Sequence, residues 1–266
     1  MSFNDELGTR MKTNYEKIPQ LKLMRRTPVA IRLDGRSFHT FTRGFKRPFD
    51  PILISSMQQT MKYLCENIQG CVLGYTQSDE ITLILQDYKT HETEAWFNYE
   101  VQKMCSISAS MATMAFNKEF TRRVNQFDDE VFECWHHTTE EEDKYLNTLL
   151  NATAKGAQFD SRCFNIPKEE VANLLLWRQL DAARNSVQMV GRAYYSHKEL
   201  NGKNNSQIQD MLIEKGVNWN DFPTHQKRGS CCIRDEQGHW IIDEEIPMFK
   251  GEGREYVERL INCEEE

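Results

Sequence analysis
The chain has 266 residues, 39% of them hydrophobic and 27% charged, a composition that can bury a sizeable core as one large domain or two small ones. No run approaches the roughly 18 apolar residues of a membrane span, and the start M1-S-F-N-D-E has no apolar signal core. A cytoplasmic protein without a membrane partner is therefore expected, and the net charge of −7 excludes a generally basic nucleic-acid coat while leaving room for one local basic patch.

In chain order, residues 3–24 mix charge with Leu7, Met11 and Tyr15 at a spacing of four, which predicts a helix. Thr27 to Leu33 reads as a strand that runs into an acid and a glycine, Asp34-Gly35. Asp50-Pro51 is a helix start, an N-cap acid followed by proline at the first helical position. Leu53, Met57, Met61, Leu64 and Ile68 then form one apolar helix face, closed by Gly70. Cys71 to Tyr75 and Ile81 to Leu85 are strand-like, and T76-Q-S-D79 between them suits a tight hairpin turn. From Glu94 to about Phe120 the pattern is helical. An acidic, helix-prone insert occupies 121–155, with Thr139 and Glu142 as a capping box. A157-Q-F-D-S-R-C-F-N-I166 is the last core strand, and a helix over 168–181 follows Pro167. The remainder has a short basic cluster, H225-Q-K-R-G229, and a hairpin around 231–243. The eight scattered cysteines form no CxxC pair and read as reduced core thiols; Cys134-W-H-H137 reads as a loop rather than a metal site.

This order, βαββα followed by a strand, predicts an α+β, ferredoxin-like (βαββαβ) core. One catalytic domain is expected over the whole chain, with the core at about 27–166 and an extension at about 167–266. In that plan the first strand is central and the hairpin lies beside it, so Asp34 and Asp79 meet at one sheet edge. Two carboxylates that close repel unless a divalent cation sits between them. With the Gly35 carbonyl they make an all-oxygen site that suits Mg²⁺ and leaves positions open for substrate phosphates. The turn G35-R-S-F-H39 offers backbone N–H groups to a triphosphate. Alone, each acid is an ordinary turn residue; together, at corresponding points of the plan, they suit two-metal nucleotidyl transfer.

Four blocks, R32-L-D-G-R-S-F-H39, G74-Y-T-Q-S-D-E80, F159-D-S-R162 and W177-R-Q-L-D181, resemble the signature blocks of the tRNA-His guanylyltransferase family, in family order. The resemblance implies a polymerase-palm-type core, two Mg²⁺ ions per active site, and a homotetramer that grips the 5′ end and acceptor stem of tRNA. It also implies 5′ activation by ATP, with GTP and other nucleoside triphosphates added 3′-to-5′. Asp34, Asp79 and Glu80 match the catalytic acids, and Asp34, Gly35 and Asp79 the metal ligands. Arg32, Asp34, Gly35, Arg36, Ser37, Phe38, His39, Arg47, Ser78 and Asp79 match the nucleotide contacts, with Lys215 near the triphosphate. Arg162, Arg178, Lys227 and Arg228 are the expected tRNA contacts. Eukaryotic members carry His-Ile-Asn-Asn where this chain has A183-R-N-S186, so only Asn185 is kept. That loss resembles the bacterial and archaeal guanylyltransferase-like proteins, and it favours template-dependent 5′-end repair over obligate addition of G to tRNA-His. A nucleotide cyclase or diguanylate synthase shares the palm plan but lacks the blocks after residue 157; a non-catalytic tRNA-binding palm would be expected to have lost a carboxylate.

Overall fold
The computed structural model describes residues 6–133 and 139–262; Cys134 to His137 and the terminal acids lie outside them. Its elements begin with α1 (Glu6–Met11), β1 (Val29–Gly35), α2 (Phe38–Phe41), α3 (Pro51–Asn67), β2 (Cys71–Gln77) and β3 (Glu80–Leu85). They continue with α4 (Val101–Glu133), α5 (Glu140–Lys155), β4 (Phe159–Asn165), α6 (Lys168–Tyr194), α7 (His197–Leu200), α8 (Asn205–Glu214), α9 (Thr224–Arg228), β5 (Ser230–Arg234), β6 (Trp240–Asp243) and α10 (Glu255–Ile261). The strands form one antiparallel sheet in the order β4-β1-β3-β2-β5-β6. Its first four strands have the ferredoxin-like order, and β5 and β6 extend the same sheet past β2.

Local chemistry explains most element boundaries. Asp50 caps α3 by accepting a hydrogen bond from the Leu53 N–H at 3.0 Å, and Thr139 and Glu142 close a capping box on α5. The hairpin is tighter than expected: β2 runs to Gln77 and β3 starts at Glu80, leaving only Ser78 and Asp79 in the turn. The helix expected from Glu94 begins instead at Val101, because Phe97, Asn98 and Tyr99 have left-handed φ of 48°, 52° and 55° and break the path. It then runs on to Glu133, so the expected insert is the far half of α4 plus α5. Phe127 and Tyr145 pack edge to face at 5.4 Å between those two helices.

Alternation along β1 divides the interior in two. Val29, Ile31 and Leu33 face α3 and α4 and join a core with Met57, Met61, Leu64, Phe116 and Phe120. Ala30 faces the other way, into a second cluster with Ile84, Val171, Leu175, Phe249 and Val257 under α6 and α10. Arg32 and Asp34, in step with Ala30, therefore lie on the α6 face. Each large side chain fully buried here contributes about 1.5–3 kcal/mol. Among the described residues no helix is long and apolar enough to cross a membrane, and the described cysteines are free.

Gly74 marks a close approach of β2 and α3. A Cβ there would lie 2.5 Å from Cys65 Sγ and 2.8 Å from Met61 Cγ of α3. Gly74→Ala is expected to cost about 1–3 kcal/mol by overpacking, read as a lower midpoint in urea unfolding with an unchanged slope.

Candidate active site
The site forms where β1 and the β2–β3 turn end together. The Gly35 N–H donates to the Asp79 carbonyl at 3.0 Å, which ties the two chain segments edge to edge. The pairing register sets Asp34 opposite Glu80 of β3 on one side and Asp160 of β4 on the other. Directly paired residues project from the same face, so Asp34, Glu80 and Asp160 share the α6 face. Burial pushes the Asp34 carboxyl above its usual range, and the negative charges of Glu80 and Asp160 push it further. Burial likewise raises Asp79, to about 6, against a hydrogen bond from Ser78 Oγ at 3.0 Å.

Glu80 is a different kind of acid. It is buried, and Arg178 of α6 donates to its Oε2. Arg32 Nε lies 2.8 Å from its Oε1, an ion pair without hydrogen-bond alignment. Arg178 also donates to Asp181 Oδ2 at 2.8 Å. Arg178, expected on the tRNA, is thus corrected: it is 6% exposed and locked to carboxylates on α6 and β3. Glu80, expected among the catalytic acids, has its carboxylate held by these two arginines.

Against the Gly35–Asp79 end of this edge lies a cleft of about 610 Å³. Gly35, Ser37, His39, Arg47, Ser78 and Asp79 line it, as expected of nucleotide contacts. Ser37 and Ser78 both have left-handed backbone, φ 55° and 50°, a strain that clusters at functional sites. Phe38 lines the cleft too, and its ring, packed at 5.2–5.6 Å from Phe41, Phe116 and Phe159, also anchors the turn. The ring also covers Gly35, where a Cβ would lie 2.2 Å from it. Four expected nucleotide contacts lie outside the cleft lining: Asp34, at the edge itself, and three basic residues. Arg32 is paired to Glu80, Arg36 donates to Gln158 at 3.0 Å in a neighbouring groove, and Lys215 donates to the Tyr194 carbonyl over the Tyr195 ring.

The cleft gains cations that the sequence reading missed, namely Arg43 and Lys46 from the α2–α3 loop and Arg192 from the far end of α6. The T42-R-G-F-K-R47 run offered a signal for the first two. Arg192 had none, because α6 was expected to stop near residue 181. Asn185 lines a small recess of about 70 Å³ that shares Asp50, Leu53, Ser78 and Met189 with the cleft. Arg162 is exposed, whereas Lys227 and Arg228 are half-buried, with Lys227 Nζ donating to the Asn220 carbonyl at 2.5 Å.

The donor set at the edge fits a hard divalent cation. Asp34 and Asp79 are two close acids that burial disfavours as free anions, and all available ligands there are oxygens. Among the described residues no group of three or more His, Cys, Asp or Glu side chains is arranged to hold a metal, so the fit rests on two carboxylates and a backbone carbonyl.

Residues 8–167 match the family model described as tRNAHis guanylyltransferase. An uncharacterized protein of Acanthamoeba polyphaga mimivirus is 31% identical over 242 residues, covering 85% of this chain and 76% of its own length. The tRNA(His) guanylyltransferase of Schizosaccharomyces pombe is 25% identical over 242 residues, covering 84% of this chain and 81% of its own. Among solved structures, a bacterial tRNA(His) guanylyltransferase-like protein in complex with ATP superposes with a TM-score of 0.81 at 40% identity. It covers 97% of this chain and 100% of its own. A structure of the same description in complex with GTP gives 0.72 at 35% identity, covering 96% and 99%.

The buried pairing of Arg178 makes a stability prediction. Arg178→Met strips Glu80 of one of its two cations, and breaking a buried pair this way costs about 3–5 kcal/mol. The double change Arg178→Met with Glu80→Gln is expected to recover part of that loss. Chemical denaturation of the three proteins checks it; a single variant as stable as the parent would remove Arg178 from the structural role.

Proposed function
This chain belongs to the tRNA-His guanylyltransferase family of nucleotidyltransferases, and from that premise we propose that it adds nucleotides 3′-to-5′ to the 5′ end of tRNA by template-dependent repair. Membership of the family displaces the cyclase reading. The observation that carries the proposal is the meeting of the Asp34–Asp79 edge with a cleft lined by Arg43, Lys46, Arg47 and Arg192. Those four cations suit the triphosphate of an incoming nucleotide. Held there, the nucleotide presents its 3′-hydroxyl toward the carboxylate edge, where the RNA 5′ phosphorus must lie. Such positioning supplies several kcal/mol of the barrier.

Asp34, Asp79 and the Gly35 carbonyl are the groups that hold two Mg²⁺ ions in this reading. Bound there, the ions would supply charge neutralisation for the transferring phosphate. Ser78 orients Asp79 through its hydrogen bond. We assign ATP to 5′ activation and GTP, with other nucleoside triphosphates, to addition, in keeping with the ATP and GTP named for the bacterial relatives. Arg162, Lys227 and Arg228 remain the tRNA contacts of the proposal. The homotetramer assigned to the family draws support from the N-terminal arm, whose Leu7, Tyr15, Ile18 and Met24 are exposed in a single copy.

Repair is preferred because of the turn of α6 at residues 183–186. Ala183 stands where eukaryotic members have histidine. Arg184 is engaged with Asp181 at 3.0 Å, and Ser186 accepts from the Trp219 indole at 3.0 Å. Residues 183–186 themselves supply no imidazole to help activate the 5′ end, although His225 lines the same recess as Asn185 and Ser186; on this reading, pairing with the opposite strand aligns the incoming nucleotide.

Asp34→Ala and Asp79→Ala are each expected to lower nucleotide addition by at least ~10²-fold, since transfer rests on metal-held geometry; near-normal addition by either variant would remove the site assignment. The repair reading is checked by competition. A tRNA lacking its first nucleotide, with C opposite, should take G in preference to a full-length tRNA-His with no templating base. Both RNAs share one tube with all four nucleotides, and kcat/KM is read for each. A preference for the untemplated tRNA-His by about tenfold, 1.4 kcal/mol, would make this a guanylyltransferase in the narrow sense.

A further inference from the structure
The cleft described above accommodates one reactant, and an in-line displacement needs the other on the opposite side of the reacting phosphorus. Outside the cleft lining, Asp34 is flanked by the face of β1 and β4 that α6 packs beside, and the most exposed large hydrophobic side chain of α6 is Trp177, 49% accessible. We propose that Trp177 is the stacking platform for the terminal base pair of the RNA acceptor end, beside Asp34. This deepens the proposed function and rests on tRNA being the acceptor.

Three observations carry it. Trp177 is joined to the catalytic edge through Arg32, two residues from Asp34 on the same face, whose Cζ lies 5.7 Å from the indole centroid. Arg178 Cζ lies 4.3 Å from the same centroid. Both arginines are held by Glu80, so the indole is backed by fixed cations while half its surface is open. An aromatic ring backed by guanidinium groups is the surface on which nucleic-acid bases stack, and it tolerates any base because every base has a π-face.

The second observation is the pairing register, which sets Arg32 directly opposite Arg162. Like charges across a strand pair are destabilising. Arg32 is neutralised by Glu80, but Arg162 has only a 3.5 Å contact to Asp160 and its side chain is 57% exposed. That guanidinium is placed for a phosphate of the same RNA strand. The third is helical spacing: Trp177, Leu180 and Arg184 stand at i, i+3 and i+7 of α6 and are all exposed, forming one stripe that runs toward the cleft end of the helix. None of the stripe lines the nucleotide cleft, so one reactant does not displace the other.

The test compares Trp177→Ala and Trp177→Phe with the parent in the full chain. Binding is read by filter retention of tRNA and, separately, by titration of GTP. The chain has five tryptophans, so fluorescence is read as the parent minus Trp177→Phe difference during addition of an acceptor-stem RNA duplex. Trp177→Ala should weaken tRNA binding about tenfold, with GTP affinity unchanged and Trp177→Phe close to the parent. The difference signal should be quenched by the duplex and not by GTP. Parent-like tRNA binding by Trp177→Ala overturns the proposal, as does a fall in sedimentation mass in that variant, which would mean that a second copy of the chain covers the indole. Binding and quenching need no turnover. A parent enzyme that binds and quenches but adds no nucleotide supports the platform and overturns only the reaction assigned above.

Discussion

The arrangement depends on an electrostatic constraint: Asp34, Asp79, Glu80 and Asp160 converge on one edge of a sheet. Strand register makes this unavoidable, since Asp34 faces Glu80 across one ladder and Asp160 across the other. Like charges so close are costly in a partly dehydrated site. The fold deals with the group unequally. Glu80 is given two arginines and becomes structural. Asp160 stays in solvent, near Arg162. Asp34 and Asp79 receive no ion-pair partner among the described residues and are left with raised pKa values, which favours a cation at that edge.

α6 is the element that makes this division possible. Its first turns pack Val171, Ala172 and Leu175 onto the sheet. Its middle brings Arg178 down onto Glu80, and its last turns reach past the strand ends to deliver Met189 and Arg192 to the cleft. One rigid helix of 27 residues thus couples the hydrophobic core, the buried ion network and the basic wall of the site. A shift of this helix along its axis would move all three together. The Arg178–Glu80 contact crosses from helix to sheet and opposes such a shift, while Asp181, on α6 itself, holds the guanidinium in position for it.

The opposite wall is held by aromatic packing. Phe38, Phe41, Phe45, Phe116, Phe120 and Phe159 form a cluster with centroids 5.2–5.8 Å apart beneath the turn that follows β1. Such pairs contribute beyond the area they bury. They brace a turn whose Ser37 has left-handed backbone. Preorganisation of this kind spares the site the entropy of ordering a loop on binding.

Much of this was legible in the sequence. The periodicity of Met57, Met61 and Leu64, the Asp50 cap and the Thr139 capping box are local signals, and the helices follow them. The βαββα order placed Asp34 and Asp79 at one edge because antiparallel pairing leaves few alternatives. The chemistry of the exposed and buried cations was not legible. Arg178, Arg32 and Arg36 read alike in one dimension, yet one is buried against Glu80, one lies between Glu80 and Trp177, and one turns to Gln158. Likewise nothing local announced that α6 runs on to Tyr194 and brings Arg192 to the cleft. Sequence determines backbone state through short-range sterics and hydrogen bonds. Which charge meets which is set by contacts between residues as much as 98 positions apart, as for Glu80 and Arg178, and only the folded chain decides those.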